Sequence, residues 1–274
     1  GDHVGGSETK GAAGGAAGGG KKKGGRSGAG GAEGDDALAV FVQLERTQGR
    51  RLLATVNSDL AELKAVLQAQ TLLTQRVNLV ARALLRGETP AVWLKLWDGP
   101  ETAAVWIRQA VRKTMALGAY EEKALRGTLL HETLDIGNFF RPGTLFNALR
   151  QQTASVFACA MDSLRLVCEW NTDKVENTHV SCRVQGLLVQ GCTFDGARLH
   201  VAERDSPTFS PVPHVCVGWV PAELLDEREL EGATLTVPLY ADQERQSLVT
   251  RLTMPCTSQK RKWVQAGVAL FVAQ

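Results

Sequence analysis

The chain has 274 residues, 44% of them hydrophobic, with a formal net charge of only +2. That length allows one or two domains with a sizeable core, and that charge gives no global case for nucleic acid or an acidic membrane as partner. No apolar run approaches the ~20 residues that span a bilayer, and the N-terminus lacks the apolar stretch of a signal peptide.

The first 36 residues hold 15 of the 28 glycines and almost no large apolar side chain. Such a segment loses much entropy on ordering and has little to bury in return, so residues 1–36 read as a disordered linker or insertion. Gly15–Lys22 matches the first seven positions of a phosphate-binding loop, G-x-x-x-x-G-K. Lys22 then stands where Ser or Thr should meet magnesium, and no apolar strand precedes it, so the match is read as chance in low-complexity sequence. The basic runs Lys21-Lys22-Lys23 and Lys260-Arg261-Lys262 read as solvated faces.

From Ala37 to about Leu117 the apolar period is helical. Val56, Leu60, Leu63 and Leu67 fall on one face, and Leu73, Val77, Val80 and Leu84 repeat the spacing. Thr74 is a candidate N-cap, Gly87 and Pro90 close that helix, and a turn near Gln70–Thr71 joins the two antiparallel helices. A third helix is expected from Pro100 through Ala104, Ile107, Val111 and Met115, with Trp93, Trp97 and Trp106 as aromatic core around its start. Pro142 opens a fourth, carrying Leu145, Leu149 and Val156, with Phe139-Phe140 buried under its start.

After about Asp162 the period changes to two. Val180, Cys182 and Val184 alternate with Ser181, Arg183 and Gln185, and Leu187-Leu188-Val189 continues past a bend at Gly186. Asp195-Gly196 is a tight-turn dipeptide. Further strands are expected at 164–170, 215–220, 235–240, 248–254 and 264–272. Six or seven strands with no helical interlude long enough for a parallel crossover predict an antiparallel barrel or sandwich. The fold class is α+β, helices first and then an antiparallel, incomplete β-barrel.

Chemistry-bearing patterns are scarce. The chain has no G-x-S-x-G, no H-E-x-x-H and no G-x-G-x-x-G opening a βαβ unit. His3, His131, His179, His200 and His214 include no i,i+4 pair for a metal on a helix. His214 and Cys216 lie two apart in a strand candidate and could share a face, but no third group orients them. A hydrolase built on His214 or His200 has no further support. His131, Glu132 and Asp135 read as capping and surface groups, and Asp195 and Asp205 as turn residues. Cys159, Cys168, Cys182, Cys192, Cys216 and Cys256 form no C-x-x-C pair. They read as free thiols, several of them inside apolar runs.

Several of these segments, in order over about residues 50–274, resemble dynein heavy chains. Gly137–Ala154, GNFFRPGTLFNALRQQTA, is similar to a family segment with an aromatic pair, a proline and a helix ending Gln-x-x-Ala. Asp162-Ser163-Leu164 resembles the family's entry into its first β-strand. Val184–Cys192, VQGLLVQGC, resembles a strand of the form V-x-G-L-x-L-E-G-A, with Gln190 for Glu, Cys192 for Ala, and Phe194 where Trp is frequent. Val237-Pro238-Leu239-Tyr240 with Glu244-Arg245 is similar to a Pro-x-Tyr…Arg stretch. Trp263 with Gly267–Leu270 resembles the closing strand. Leu84-Leu85-x-Gly87-x-x-Pro90-x-x-Trp93 resembles the junction of the last AAA module with the C-terminal domain. Within the family, Glu132–Asp135, Phe146–Gln151, Gly191–Gly196, Asp205–Pro207 and Gly218–Pro221 resemble the dynein-2 branch, the retrograde motors of intraflagellar transport.

The resemblance implies that residues 37–90 finish the sixth AAA module, 91–171 are the helical part of the C-terminal domain, and 172–274 are its β-barrel part. It implies a non-catalytic segment, with no catalytic, cofactor or metal residues of its own, that packs on the AAA+ ring of the same heavy chain. ATP and magnesium would be bound by upstream AAA modules, and microtubules by an upstream stalk. The implied partners are dynein intermediate, light intermediate and light chains and intraflagellar transport trains, in cytoplasm and cilium or flagellum, with no nucleic acid and no membrane insertion. The alternative is a stand-alone interaction domain that binds a peptide or cargo adaptor through its β module.

Overall fold

The computed structural model of the protein describes residues 36–170, 180–194, 198–202, 208–225, 234–256 and 260–273. Residues 1–35, with the Gly15–Lys22 match, lie outside them, as do His179, Asp195-Gly196 and Asp205.

The helical layer begins with α1, Ala37–Leu67. Asp36 caps it, its carboxylate accepting from the amides of Leu38 and Ala39 at 3.1 Å. Its buried stripe is Leu38, Phe41, Val42, Glu45, Gly49, Leu52, Val56 and Asp59. The expected face is therefore corrected: of Val56, Leu60, Leu63 and Leu67 only Val56 is buried. Helix α4, Ala103–Leu125, and helix α5, Pro142–Phe157, cover the earlier part of α1. Gly49 permits the close crossing, since a Cβ there would lie 2.5 Å from Thr114 Oγ1 and 2.9 Å from the Phe140 ring.

Helix α2, Gln75–Leu85, starts where expected, with Thr74 Oγ1 accepting from the Val77 amide. It ends at Gly87, whose φ of +74° suits glycine. A single turn, α3 at Ala91–Leu94, follows and buries Trp93. Helix α4 starts at Ala103 rather than Pro100 and buries Trp106, Ala110, Lys113, Leu117, Tyr120 and Ala124. The expected line through Ala104, Ile107, Val111 and Met115 is the outer side of this helix, with Ile107 half-buried and the other three exposed. Pro142 opens α5 as expected; Leu145 and Leu149 are buried, and Val156 is exposed.

Among the described residues the β module holds three sheets, not closed into a barrel. One has the order β1-β3-β8-β2, from strands Thr133–Asp135, Ser181–Gln185, Val215–Pro221 and Leu164–Trp170. The second has the order β10-β9-β11-β4-β7, from Leu248–Pro255, Thr234–Tyr240, Ala269–Val272, Leu187–Gln190 and Phe209–Pro211. A small third sheet pairs β5, Cys192–Phe194, with β6, Leu199–Val201.

Antiparallel pairing dominates, as expected, but two pairs are parallel: β1 with β3 and β9 with β11. For the second of these, the connection into β11 holds a helix that the strand reading missed. Residues 260–266 form α6, where a strand was expected to begin at 264, and α6 carries the chain from β10 past β9 to β11. Trp263 on α6 is buried.

Gly186, between β3 and β4, has φ +78°, and a Cβ there would collide with the Asp135 carboxylate. Gly186→Ala is expected to destabilise the protein by about 2 kcal/mol, from the left-handed backbone and the collision together. Urea denaturation of the two proteins measures it; equal midpoints would contradict it.

Candidate functional site

The segment Gly137–Arg141, between the helical layer and the β module, is held by two buried charges. Glu45 of α1 accepts from the amides of Phe140 at 2.6 Å and Arg141 at 3.1 Å, and pairs with the Arg141 guanidinium at 3.2 Å. Lys113 of α4, only 7% exposed, donates to the carbonyls of Gly137 and of Phe139, the latter at 3.0 Å. One helix therefore takes the amides of this short segment and the other its carbonyls. Each charge is satisfied by hydrogen bonds, as buried charges must be.

A third buried charge, Asp59 near the end of α1's buried stripe, ties down α2 and α3. It accepts from Trp93 Nε1 at 2.8 Å and from Arg76 at 2.8 Å. Trp93 stacks on Trp106 with centroids 5.6 Å apart; Trp106 lies 5.4 Å from Trp97; Trp97 meets Phe140 edge-on at 5.5 Å. The tryptophan cluster read as aromatic core is present.

A cleft of about 550 Å³ opens beside this junction. Its walls include Trp97, Pro100, Phe140 and Pro142 from the helical side and the β9–β10 turn, residues 241–247, from the sheet side. Lys113 reaches its floor, with Nζ 5.3 Å from the Trp97 ring centroid. Burial lowers the Lys113 pKa to about 8, helped by Arg112 and opposed by Asp135 and Glu45. Burial opposes ionisation of Asp242 in the turn, yet amide hydrogen bonds from Gln246 and Ser247 outweigh it and hold the carboxyl below its usual range.

The Lys113 shift carries a stability consequence. A base whose pKa is depressed on folding adds stability fully above its unfolded pKa, near 10.5, and loses it as pH falls through about 8. Relative to Lys113→Met, the native protein should therefore gain up to about 3 kcal/mol between pH 8 and 10.5. The comparison cancels the opposite effect of buried thiols such as Cys192, which burial pushes up to about 12. Denaturation midpoints of both proteins at pH 7 and 9.5 test this; parallel pH profiles would contradict it.

The other residues considered for chemistry have structural surroundings. Glu132 pairs with Lys123 at 2.9 Å, and Asp135 caps a 3-10 turn by accepting from the Gly137 amide at 2.9 Å. His131 is exposed, and its carbonyl accepts from Arg183. Cys216 is buried in β8, whereas His214 precedes that strand, and His200 lies on β6. Among the described residues no three His, Cys, Asp or Glu side chains are grouped to hold a metal. No described helix is long and apolar enough to cross a membrane.

Comparison with known proteins places these features in a family. A sequence model for the C-terminal domain of the dynein heavy chain matches residues 29–272. The protein is 39% identical over 234 residues to "Cytoplasmic dynein 2 heavy chain 1" of Tripneustes gratilla, covering 85% of this chain and 5% of that one. It is 35% identical over 232 residues to the Homo sapiens protein of that name, again 85% and 5%. It is 22% identical over 242 residues to "Dynein beta chain, ciliary" of Heliocidaris crassispina, 86% and 5%. The sequence thus spans about a twentieth of the length of these relatives.

Proposed function

Because the protein belongs to the family defined by the C-terminal domain of dynein heavy chains, we propose that it is the non-catalytic C-terminal segment of a dynein-2 motor, packed on that motor's AAA+ ring. The observation that carries the reading is an uncovered apolar surface on the α1–α2 hairpin. Leu67, Leu72, Leu73, Leu79 and Leu85 are all exposed, Leu72 at 90% and Leu85 at 87%. Five large apolar side chains left exposed between residues 67 and 85 mark a surface made to be covered. In this reading the rest of the sixth AAA module covers them, with residues 37–90 as its last helices. Residues 91–171 and 172–274 are then the helical and β parts of the C-terminal domain, and 1–36 a linker or insertion.

The parent motor hydrolyses ATP at upstream modules and walks toward microtubule minus ends, carrying retrograde intraflagellar transport trains with its intermediate, light intermediate and light chains. The segment limits relative motion of the AAA modules it touches and so tunes force or processivity without chemistry of its own. A denaturing gel of native material, probed with an antibody to residues 91–274, tests the premise. A band far above the 29.5 kDa of this sequence is expected. A native band near that mass would favour a stand-alone interaction domain instead.

A further inference from the structure

Between α2 and α3 lies a groove of about 230 Å³. Leu79, Val80 and Ala83 of α2 line one side, and Pro90, Ala91 and Val92 line the other. The groove exists because alanines stand at 83 and 91, where a larger side chain would occupy the space. Its polar groups are already engaged. Thr89 donates its hydroxyl to the Pro100 carbonyl at 2.8 Å and its amide to the Glu101 carbonyl at 2.6 Å. Arg86 and Glu88, exposed at the rim, pair with each other at 2.8 Å. The walls therefore suit apolar contents. The volume is below the roughly 300–1,000 Å³ of sites that enclose a whole small ligand, and it suits one large side chain carried by a docked segment.

Leu79 makes this groove continuous with the leucine surface of the hairpin, since it lines the groove and is 56% exposed. A partner that covers Leu79 therefore reaches the mouth of the groove. Length and composition say where that partner comes from. The sequence covers 5% of its dynein-2 relatives, so in the motor reading nearly all of the heavy chain lies outside it. Residues 1–35 hold Val4 as their one larger apolar side chain, too little to cover the leucines and fill the groove. We propose that a large apolar side chain, from the part of the same heavy chain outside these 274 residues, anchors in this groove. The proposal rests on the motor reading and adds an anchor point to it.

The test replaces Ala91, exposed beside the groove, by the photo-cross-linker p-benzoylphenylalanine in the intact heavy chain. Arg251, exposed on β10, receives the same group as a control. Irradiation is expected to join position 91 to a large apolar residue of the same polypeptide outside residues 1–274. The yield should exceed that from position 251 at least about tenfold, as for an anchor seated in a pocket. Hydroxyl-radical labelling of Leu72 and Leu85, which do not line the groove, reads the docking separately. With those leucines protected, three results would overturn the anchor and leave the docking standing: equal yields at the two positions, cross-links confined to the groove's own residues, or cross-links to a second polypeptide. With those leucines labelled as freely as Leu224 and Leu248, the docking fails and the anchor with it. Ala91→Cys, small enough to leave the groove open, gives a second reading. Its thiol should react with a maleimide at least about tenfold more slowly in the intact protein than that of Arg251→Cys, and an equal rate would overturn the anchor.

Discussion

Trp106→Ala is expected to lower stability by about 3–5 kcal/mol, the range for emptying a large aromatic site in a packed core. The ring is fully buried between Trp93 and Trp97, and its Nε1 donates to the Trp97 carbonyl at 3.2 Å. A Cβ on the neighbouring Gly99 would lie 2.9 Å from Trp106 Cδ1, so packing there is tight. Its neighbours are fixed by other bonds, Trp93 to Asp59 among them, and collapse into the vacated volume is therefore restricted. Guanidinium denaturation would show the midpoint falling with an unchanged slope. A loss below about 1 kcal/mol would mean that the layer refills the space.

Glu45→Ala is expected to cost about 2–5 kcal/mol for a different reason. Beyond the volume lost, the amide of Phe140 loses its acceptor at a buried position and that of Arg141 at a half-buried one, at about 1–3 kcal/mol for a fully buried orphaned group. The Arg141 guanidinium is largely exposed and can return to water, so it adds little. Glu45→Gln keeps the shape and one acceptor oxygen and should recover part of the loss. If the alanine and glutamine variants were equally unstable, the negative charge rather than the acceptor would be what holds the segment.

Buried charges of this kind also explain where sequence reasoning failed. Helical periodicity located α1, α2, α4 and α5, yet it chose the wrong side of α4 and the wrong half of α1. The buried stripe of α4 runs through Lys113, and that of α1 through Glu45 and Asp59. Charged residues within a stripe lower its apparent hydrophobicity, so Ala104, Val111 and Met115 outscored it although they face outward. The strands were more legible, because alternation at Val180, Cys182 and Val184 and the glycine at 186 carry their own geometry. The short strands β1, β5, β6 and β7 were not, since three residues hold too little alternation to count. The last residues of helix α6, 264–266, were read as strand for want of a clear helical stripe.

The cleft was illegible for a related reason. Its walls come from residues 97–101 and 241–247, far apart in sequence, and only the packing of helix layer against sheet brings them together. The aromatic pair Phe139-Phe140 was legible as buried. Its fastening by Glu45 and Lys113 was not, because no local pattern links a segment to charges 95 and 26 residues away.

If the segment docks on a motor ring, the leucine surface of the α1–α2 hairpin must be covered by the rest of the heavy chain. Hydroxyl-radical footprinting of the intact native protein tests this most directly, with Leu224 and Leu248, both exposed on the β module, as internal references. Docking predicts that Leu72, Leu79 and Leu85 are labelled far more slowly than those references, despite their exposure in this structure. Labelling at the rate of Leu224 and Leu248 or faster would mean that the surface stays open to water, and the docking on the motor's ring would be wrong.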